Sequence, residues 1–584
     1  MLKLLKNFKL KEWGLILITF ILIFIQVYLE LKMPDYMQEI TILVQTAGSK
    51  MNDILINGGY MLLCAFGSLF FTVISGFIIA YLSSTFSYRV REKIFKHTEE
   101  FSLEEIKKFK TSSLITRTTN DITQMEMFIG MGLQLLVKSP MTAVYAIIKI
   151  LNKNLNWSLI TLIAVIILLL TVGILTIIVV PKFKIVQKLT DNVNDLIREN
   201  LTGIRVVRAF NAEEYQQNKF SEVNDKLTKQ QLFNQKAFAI MNPIMYTVMY
   251  ALTLAIYFVG ALIIRDANLV DKLSLFGDMI VFSSYAMQVI MSFLMLAIVF
   301  MLLPRAEVSA KRINEVLSTD ISIKSGKIKK GKEKGSVEFK NVSFKYPDAE
   351  EDILTDINFS VKKGETVAFI GSTGSGKSTL INLIPRFYDV TGGEILVDGV
   401  NVKEYNLEDL YNMIGYISQK AVIFDGTINT NVNFGKTNHK VTKEDIKEAV
   451  KLSESEEFVL KMDDKYDEHI ASSGTNISGG QKQRISIARA LVKKAEIYIF
   501  DDSFSALDYK TDLKLRKNIK KNMKDATILI VAQRIGTIMN ADKILVLDNG
   551  KCVGIGTHKE LLKNCEVYKE IALSQLSKEE LENE

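Results

Sequence analysis

The sequence predicts a multidomain membrane protein in which a six-helix all-α transmembrane domain is fused to an α/β domain. Three observations predict it. Six apolar stretches, each long enough to approach or cross a ~30 Å hydrocarbon layer as a helix, all fall in the first half of the 584 residues. From Ser336 onward short β-type runs alternate with helical patterns, as in a domain with a largely parallel sheet. One of those runs leads through a glycine-rich loop into an apolar-periodic helix. The composition agrees, since 48% hydrophobic residues is high for a soluble protein.

The apolar stretches lie near residues 14–31, 57–83, 128–151, 157–180, 236–264 and 276–303. Ahead of them, "MLKLLKNFKLKEW" interleaves Leu and Phe with Lys and ends on Trp13, which suits an amphipathic helix in the membrane interface. It has no small-residue cleavage site, so a removed signal peptide is not expected. Lys and Arg crowd the N-terminus and the long 84–127 and 181–235 segments, while 32–56 and "NKNLN" at 152–156 carry fewer. The positive-inside rule therefore puts the N-terminus, both long segments and the C-terminal half in the cytoplasm, with spans two to five continuing as cytoplasmic helices. The net charge of +7 is accounted for by residues beside the spans, so no nucleic-acid partner is expected. Cys64, Cys552 and Cys565 have no paired spacing, which suggests neither a disulfide framework nor a zinc site.

After the sixth stretch "PRAEVSAKRINEVLS" reads as a continued helix, and "KSGKIKKGKEKG" at 324–335 as a flexible basic linker. The expected domains are thus 1–318 in the membrane, 319–335 as linker and 336–584 as the α/β domain. Within the last, "SVEFKNVSF", "ETVAFIG", "IGYIS", "IYIFDD", "TILIVAQ" and "KILVLDNG" are plausible strands.

The chemistry begins at "VAFIGSTGSGKSTLINLI", residues 367–384, where a strand, a GxxxxGK[ST] loop and a helix follow in order. Gly371, Ser372, Thr373, Gly374, Ser375, Gly376, Lys377, Ser378 and Thr379 form the expected phosphate cradle: glycines let amide hydrogens and a helix N-terminus face the phosphates. Lys377 would reach the β- and γ-phosphates, and Ser378 would ligate Mg²⁺. Ser478, Gly479, Gly480 and Gln481 open a second phosphate-seeking helix in "NISGGQKQRISIARAL". Shortly after, "IYIFDD" ends on Asp501 and Asp502, at the carboxyl end of a buried strand where parallel sheets bind ligands.

These motifs in this order resemble an ATP-binding cassette exporter half-transporter over essentially the whole chain: a Walker A loop at 371–378, the signature "ISGGQ" at 477–481, a Walker B strand ending at Asp501 and the D-loop "SALD" at 505–508. The resemblance implies ATP and Mg²⁺ as ligands, with Ser378, Gln419 and Asp501 on the metal. It implies that Tyr346 in "FKYP" stacks on adenine and that Gln419 in "YISQKAVIFDGTI" is the Q-loop glutamine. "TSSLITRTTND" at 111–121 and "LTGIRVVRAFNAEE" at 201–214 look like the family's intracellular-loop motifs, whose short coupling helices dock on nucleotide-binding domains.

Three positions depart from the family pattern. The general base after Walker B, usually Glu, is Asp502, whose carboxylate is pulled back by about 1.5 Å. The switch histidine is Gln533, which donates a hydrogen bond but cannot carry an imidazolium's charge. Ser472 stands where a Glu usually precedes the signature. With the signature intact, the pattern resembles the degenerate-site subunit of a bacterial heterodimeric multidrug-type exporter in the plasma membrane, partnered by a half-transporter that has the Glu and the His. The resemblance implies that nucleotide closes the cassette dimer and turns the cavity outward, and that hydrolysis at the partner-based site reopens it.

For substrate the sequence offers less. Met241, Met245 and Met249, and Met287, Met291 and Met295, recur at i+4 spacing, which suits either a pliable cavity for small amphipathic molecules or drugs and lipids, or plain helix and lipid packing. Lys138 inside the third span should face a protein or water-filled cavity, meeting an anionic substrate group or an ion-pair partner in a second chain. His97, His439, His469 and His558 read as solvated, and the tail "SKEELENE" as a solvated helix end. Other readings remain: a homodimeric exporter with a working Asp base, an ATP-gated regulator on the same scaffold, or an importer. A soluble cassette ATPase on nucleic acid is excluded by the six spans.

Overall fold

Where composition is most apolar the chain forms long helices, and where it alternates it forms sheets. The computed structural model describes residues 2–46, 48–151 and 155–576, so the acidic tail and most of "NKNLN" lie outside the described residues. Two compact units result: residues 1–99 with 111–319, and residues 100–110 with 320–584.

The first unit is all helix. Among the described residues six helices are long and apolar enough to cross a membrane: Leu10–Gln45, Met51–Glu99, Thr111–Leu151, Leu155–Val179, Pro243–Asp266 and Asp271–Leu296. Three of these belong to longer helices, Leu155–Thr202, Glu213–Asp266 and Leu269–Leu317, so helical hydrogen bonding continues well past the apolar windows. The third is interrupted, running as Thr111–Thr118, Asn120–Met127, a π-helical turn at Phe128–Gly132 and Leu133–Leu151. The first packs on the second, the third on the sixth and the fourth on the fifth. Pro34, Pro140, Pro181, Pro243 and Pro304 sit inside helices, as membrane helices tolerate when neighbours satisfy the freed backbone groups.

Two expectations change here. The N-terminal segment is not one interfacial helix. Its helix Leu2–Leu5 stops, and a new one starts at Leu10 with Lys9 as N-cap residue, whose N–H donates to Glu12 Oε2 at 2.8 Å. Leu4 and Phe8 turn into the unit instead of toward lipid, Phe8 against Phe86, and Arg89 clamps Glu12 through both guanidinium nitrogens. The second change concerns Lys138, which finds its counter-ion in the same chain: Nζ donates to Glu30 Oε1 at 2.9 Å.

In the second unit a six-stranded sheet is ordered β12-β11-β3-β10-β9-β6. Its strands are β3 (Thr366–Gly371), β6 (Ile414–Ile417), β9 (Ile497–Asp501), β10 (Thr527–Val531), β11 (Lys543–Asp548) and β12 (Lys551–Gly556). All pairs are parallel except β11 with β12. Alternate residues of one strand enter different cores, Ala368 and Ile370 on one face, Val367 and Phe369 on the other, as Tyr498 and Phe500 do opposite Ile497 and Ile499. Burial on both faces is why these runs are continuously apolar. The composition did not announce a second, antiparallel sheet ordered β2-β1-β4-β5, from β1 (Val337–Phe344), β2 (Leu354–Val361), β4 (Gly392–Val397) and β5 (Val400–Asn401), nor the β7–β8 pair (Gly426–Thr427 with His469–Ile470).

The segment read as a flexible linker is tied down. Gly326 N–H donates to Tyr405 O at 2.7 Å, Lys327 N–H to Glu404 O at 2.9 Å and Lys332 N–H to Asp398 O at 2.9 Å, while Ile328 bridges Tyr405 in parallel fashion. A charged, glycine-containing stretch is ordered here because its backbone donors are paired. The short helix Leu103–Phe109 also belongs to this unit, with Glu105 Oε1 accepting from Ser322 N–H at 3.1 Å. Thus the intracellular-loop segment that joins the cassette unit is 100–110, whereas the motif quoted at 111–121 stays with the helical unit. His558 likewise departs from expectation: it is buried, with Nδ1 2.7 Å from the Tyr568 hydroxyl.

Candidate functional site

Three parallel strands, β6, β9 and β10, lie side by side in the six-stranded sheet, with β3 on the far side of β10, and their carboxyl ends carry the candidate residues to one place. From β3 the chain turns at Gly371, where a Cβ would run into Leu547 O, and passes through Gly374 and Gly376 in left-handed conformations, φ +86° and +96°. A side chain at 376 would also meet Leu354, whereas Gly374 borders open space, leaving room above the loop. The helix Lys377–Leu383 then begins. Lys377 Nζ folds back to donate to Gly371 O at 2.9 Å and Ser372 O at 2.7 Å, holding the loop curled around its own ammonium. Ser375 is buried beneath it, and Ser372 and Thr373 are exposed.

Asp501 ends β9. Its Oδ1 accepts from Ser378 Oγ at 2.8 Å and its Oδ2 from the Tyr416 hydroxyl at 3.4 Å; that hydroxyl also lies 2.9 Å from Asn382 Oδ1. Asp502 follows with φ +46°, its N–H donating to Val531 O at 3.0 Å, so the chain leaves the sheet in a sharp turn that aims the second carboxylate sideways. There Asp502 Oδ2 accepts from two amides at once, Gln533 Nε2 at 2.8 Å and Gln419 Nε2 at 3.2 Å. Gln419 comes from the loop after β6 and Gln533 from the loop after β10, one on each side of β9. Gln533 is itself braced, its carbonyl accepting from Gln575 Nε2 at 2.7 Å.

Burial pushes both carboxyls above the usual aspartate range. For Asp501 the bonds from Ser378 and Tyr416 pull back and the neighbouring Asp502 charge pushes further; for Asp502 the two glutamines and Lys377 pull back. Burial depresses Lys377, opposed by the two acids. Tyr416 is raised strongly by burial first and then by the Asp501 charge.

Tyr346 lies beside the loop, its hydroxyl 3.0 Å from Thr379 Oγ1 and its ring edge-on to Phe344 and Tyr388. Lys107, from the helix Leu103–Phe109, places its ammonium 4.6 Å from the Tyr346 ring centroid, a cation–π contact.

The signature turn is brought together with the D-loop and not with the acids. Ser478 caps the helix Gly479–Leu491, accepting from Gln481 N–H at 3.3 Å while Gln481 Oε1 accepts from Ser478 N–H at 2.9 Å. These bonds are local, Ser478 and Gly479 are exposed, and a Cβ at Gly480 would approach Ala506 O at 3.4 Å. Ser472 is exposed in the turn Ser472–Gly474. Reading the motifs missed Tyr416, Asn382, Gln575 and Lys107. Only Tyr416 left a signal, a polar-tipped residue in an otherwise apolar strand.

Comparison with known proteins identifies the family. The ABC transporter transmembrane region family matches residues 13–293, and the ABC transporter family matches residues 354–505. An uncharacterized ABC transporter ATP-binding protein of Mycobacterium tuberculosis H37Rv is 37% identical over 521 residues, covering 88% of this chain and 87% of its own length. The chain belongs to the ABC transporter family. This transporter is also 33% identical over 449 residues to an ATP-dependent lipid A-core flippase of Pseudomonas savastanoi, covering 77% of this chain and 74% of that protein. Its fold matches that of a bacterial Atm1-family ABC exporter solved with ATP bound, at TM-score 0.81 and 22% identity, covering 97% of this chain and 99% of that one. Its fold is therefore that of an exporter-type half-transporter, and the chain is a multi-pass membrane protein and ABC transporter ATPase whose nucleotide-binding domain is cytoplasmic.

Proposed function

We propose that this chain is the ATP-holding half of a heterodimeric exporter of amphipathic small molecules in a bacterial plasma membrane. One observation carries the reading: the carboxylate in the general-base position, Asp502, has one oxygen engaged by both Gln419 and Gln533. A base must reach its water within roughly 2.6–3.2 Å and accept its proton, a task worth about 10²–10⁴-fold in rate. Asp502 is short for that reach, and its Oδ2 would have to shed an amide to receive the proton. Gln533 holds the acid without contributing positive charge where the switch histidine could.

The remaining residues suit holding a nucleotide. The curled 371–376 backbone with Lys377 and Thr379 grips the phosphates, and Tyr346 supports the base. Ser378 Oγ and Asp501 Oδ1, 2.8 Å apart, form a hard oxygen pair suited to Mg²⁺, and the Gln419 carbonyl stays available because its amide nitrogen is on Asp502. Mg²⁺ bound there supplies the positive charge that neutralises phosphate oxygens. The exposed, locally capped turn from Ser478 to Gln481 is suited to completing a site on a partner half-transporter that has the Glu and the His. The flippase relative supports an amphipathic cargo.

A second reading, a homodimer with a working Asp base, is favoured by the raised Asp502 carboxyl, because a more basic carboxylate accepts protons more readily. Steady-state ATPase of the chain alone and co-assembled with a Glu- and His-bearing partner decides between them. Turnover only with the partner, unaffected by Asp502→Ala, is expected; turnover alone that Asp502→Ala abolishes would overturn the proposal.

A further inference from the structure

The first unit contains a cavity of about 490 Å³ that Glu30 and Lys138 share with Gln134, Thr142 and three thioethers, Met33, Met291 and Met295. Its charges form a closed pair whose hydrogen bonding is lopsided. Glu30 Oε1 accepts from Lys138 Nζ at 2.9 Å, Gln26 Nε2 at 2.9 Å and Ser68 Oγ at 3.1 Å, while Oε2 accepts from none of the described residues. Lys138 donates only to Glu30 among the described residues, which leaves two of its three N–H groups. The pair is not sealed off: the side chains of Lys138 and Glu30 are 31% and 26% exposed.

One turn beyond Lys138 on the same helix, Thr142 is 8% exposed, and its buried hydroxyl has no hydrogen-bond partner among the described residues. That oxygen has essentially no surface open to the cavity, so the charged contacts left for a guest are those of Lys138 and Glu30. The sixth helix contributes the flexible Met291 and Met295, 44% and 37% exposed, beside Gln288 and Ser292.

We propose that this cavity binds the headgroup of a zwitterionic amphiphile: a cationic group against Glu30 Oε2, an anionic group against Lys138 Nζ, and the start of the apolar chain along the methionines. Charge neutrality selects this class. Glu30 and Lys138 already sum to zero, so an ion of either sign would leave net charge in a low-dielectric site, whereas a zwitterion adds two complementary contacts and leaves the sum unchanged. A wholly apolar guest would leave the spare acceptor and donors unmet. The volume falls within the range of small-molecule sites and fits a headgroup with the root of its chain. This names the cargo class of the proposed exporter and rests on that reading for its physiological meaning.

The test is binding to the assembled transporter in nanodiscs of phosphatidylglycerol, which supplies no competing zwitterion. Four octyl-chain probes differ only in the head: phosphocholine, trimethylammonium, sulfate and maltoside. The phosphocholine probe should bind about fivefold or more tighter than the other three, consistent with one or two added charge-assisted bonds. Glu30→Gln and Lys138→Met should each erase that preference. Equal binding of all four heads, or a preference that survives both Glu30→Gln and Lys138→Met, would overturn the proposal. ATP-dependent accumulation in inverted vesicles judges the transport reading separately. Accumulation without head preference sinks the headgroup site and spares export, and preference without accumulation does the reverse.

Discussion

Asp501 and Asp502 are 5% and 6% exposed and are held by Ser378, Tyr416, Gln419 and Gln533, whereas Ser478 and Gly479 stand exposed with bonds that go no further than their own first turn. Both belong to one cassette, and the proposed function draws on both. The buried pair is braced from neighbouring strands, so a change in any brace is felt by a carboxylate. The open turn is braced by itself, its Ser478 and Gln481 N–H groups closed into the cap, and Gly479 stands exposed to whatever approaches. A cassette built this way is suited to hold nucleotide on its own acids while offering its turn to another chain's site.

The sharpest way to break this comparison is to damage the open turn. Gly479 borders empty space, so Gly479→Asp fits the chain's own fold while placing a negative charge at the helix N-terminus meant for phosphate. Steady-state ATPase of the proposed heterodimer should fall by about 100-fold or more, on the scale of losing transition-state charge stabilisation. Asp502→Asn should leave the same turnover within about twofold; a comparable fall there would mean the acid pair is the working one.

Repairing the closed end comes next. Asp502→Glu with Gln533→His restores reach and removes one amide from the carboxylate. In an assembly whose partner site is silenced, turnover should rise by about 10- to 100-fold. No rise would show that something other than the clamp blocks hydrolysis.

A smaller effect is expected at the base. Tyr346→Ala should weaken ATP binding to this chain's site about fivefold, measured by competition against a fluorescent nucleotide, the scale of one aromatic contact near 1 kcal/mol. Unchanged affinity would leave Tyr346 as packing for Phe344 and Tyr388.

The smallest effect concerns pH. Asp502 has a folded-state carboxyl raised above its unfolded value by burial, so its favourable contribution is full below the unfolded value and is lost as pH rises through the raised one. Cassette stability to denaturant should therefore decline from about pH 4 upward through that window, and Asp502→Asn should flatten the decline. A decline of equal slope in the variant would assign it to other groups.

Much of this was legible in the residues because its signals are local. Apolar length marks a span, and alternating runs mark strands buried on both faces. The order of GxxxxGKS, ISGGQ and the acid pair named the family, whose relatives and fold neighbour agree. The antiparallel sheet escaped because β2 and β4 mix polar residues into half-buried strands, which periodicity cannot tell from loop. The basic stretch at 324–335 misled for a related reason: its charges say solvent, but its backbone finds partners at Glu404, Tyr405 and Asp398.

What the sequence determined by itself is the inventory: six spans, one cassette, an Asp for a Glu and a Gln for a His. Each is a property of residue type and spacing, and each survives without coordinates. What only the tertiary structure decided is adjacency. Gln419 and Gln533 are 114 positions apart in the chain, and they meet on one oxygen of Asp502 because β6 and β10 flank β9 in the sheet. Glu30, unremarked in its span, becomes the counter-ion of Lys138 because two helices pack side by side. Hydrogen bonds and ion pairs act over about 3–4 Å, so they follow distance in space, which chain order alone does not set.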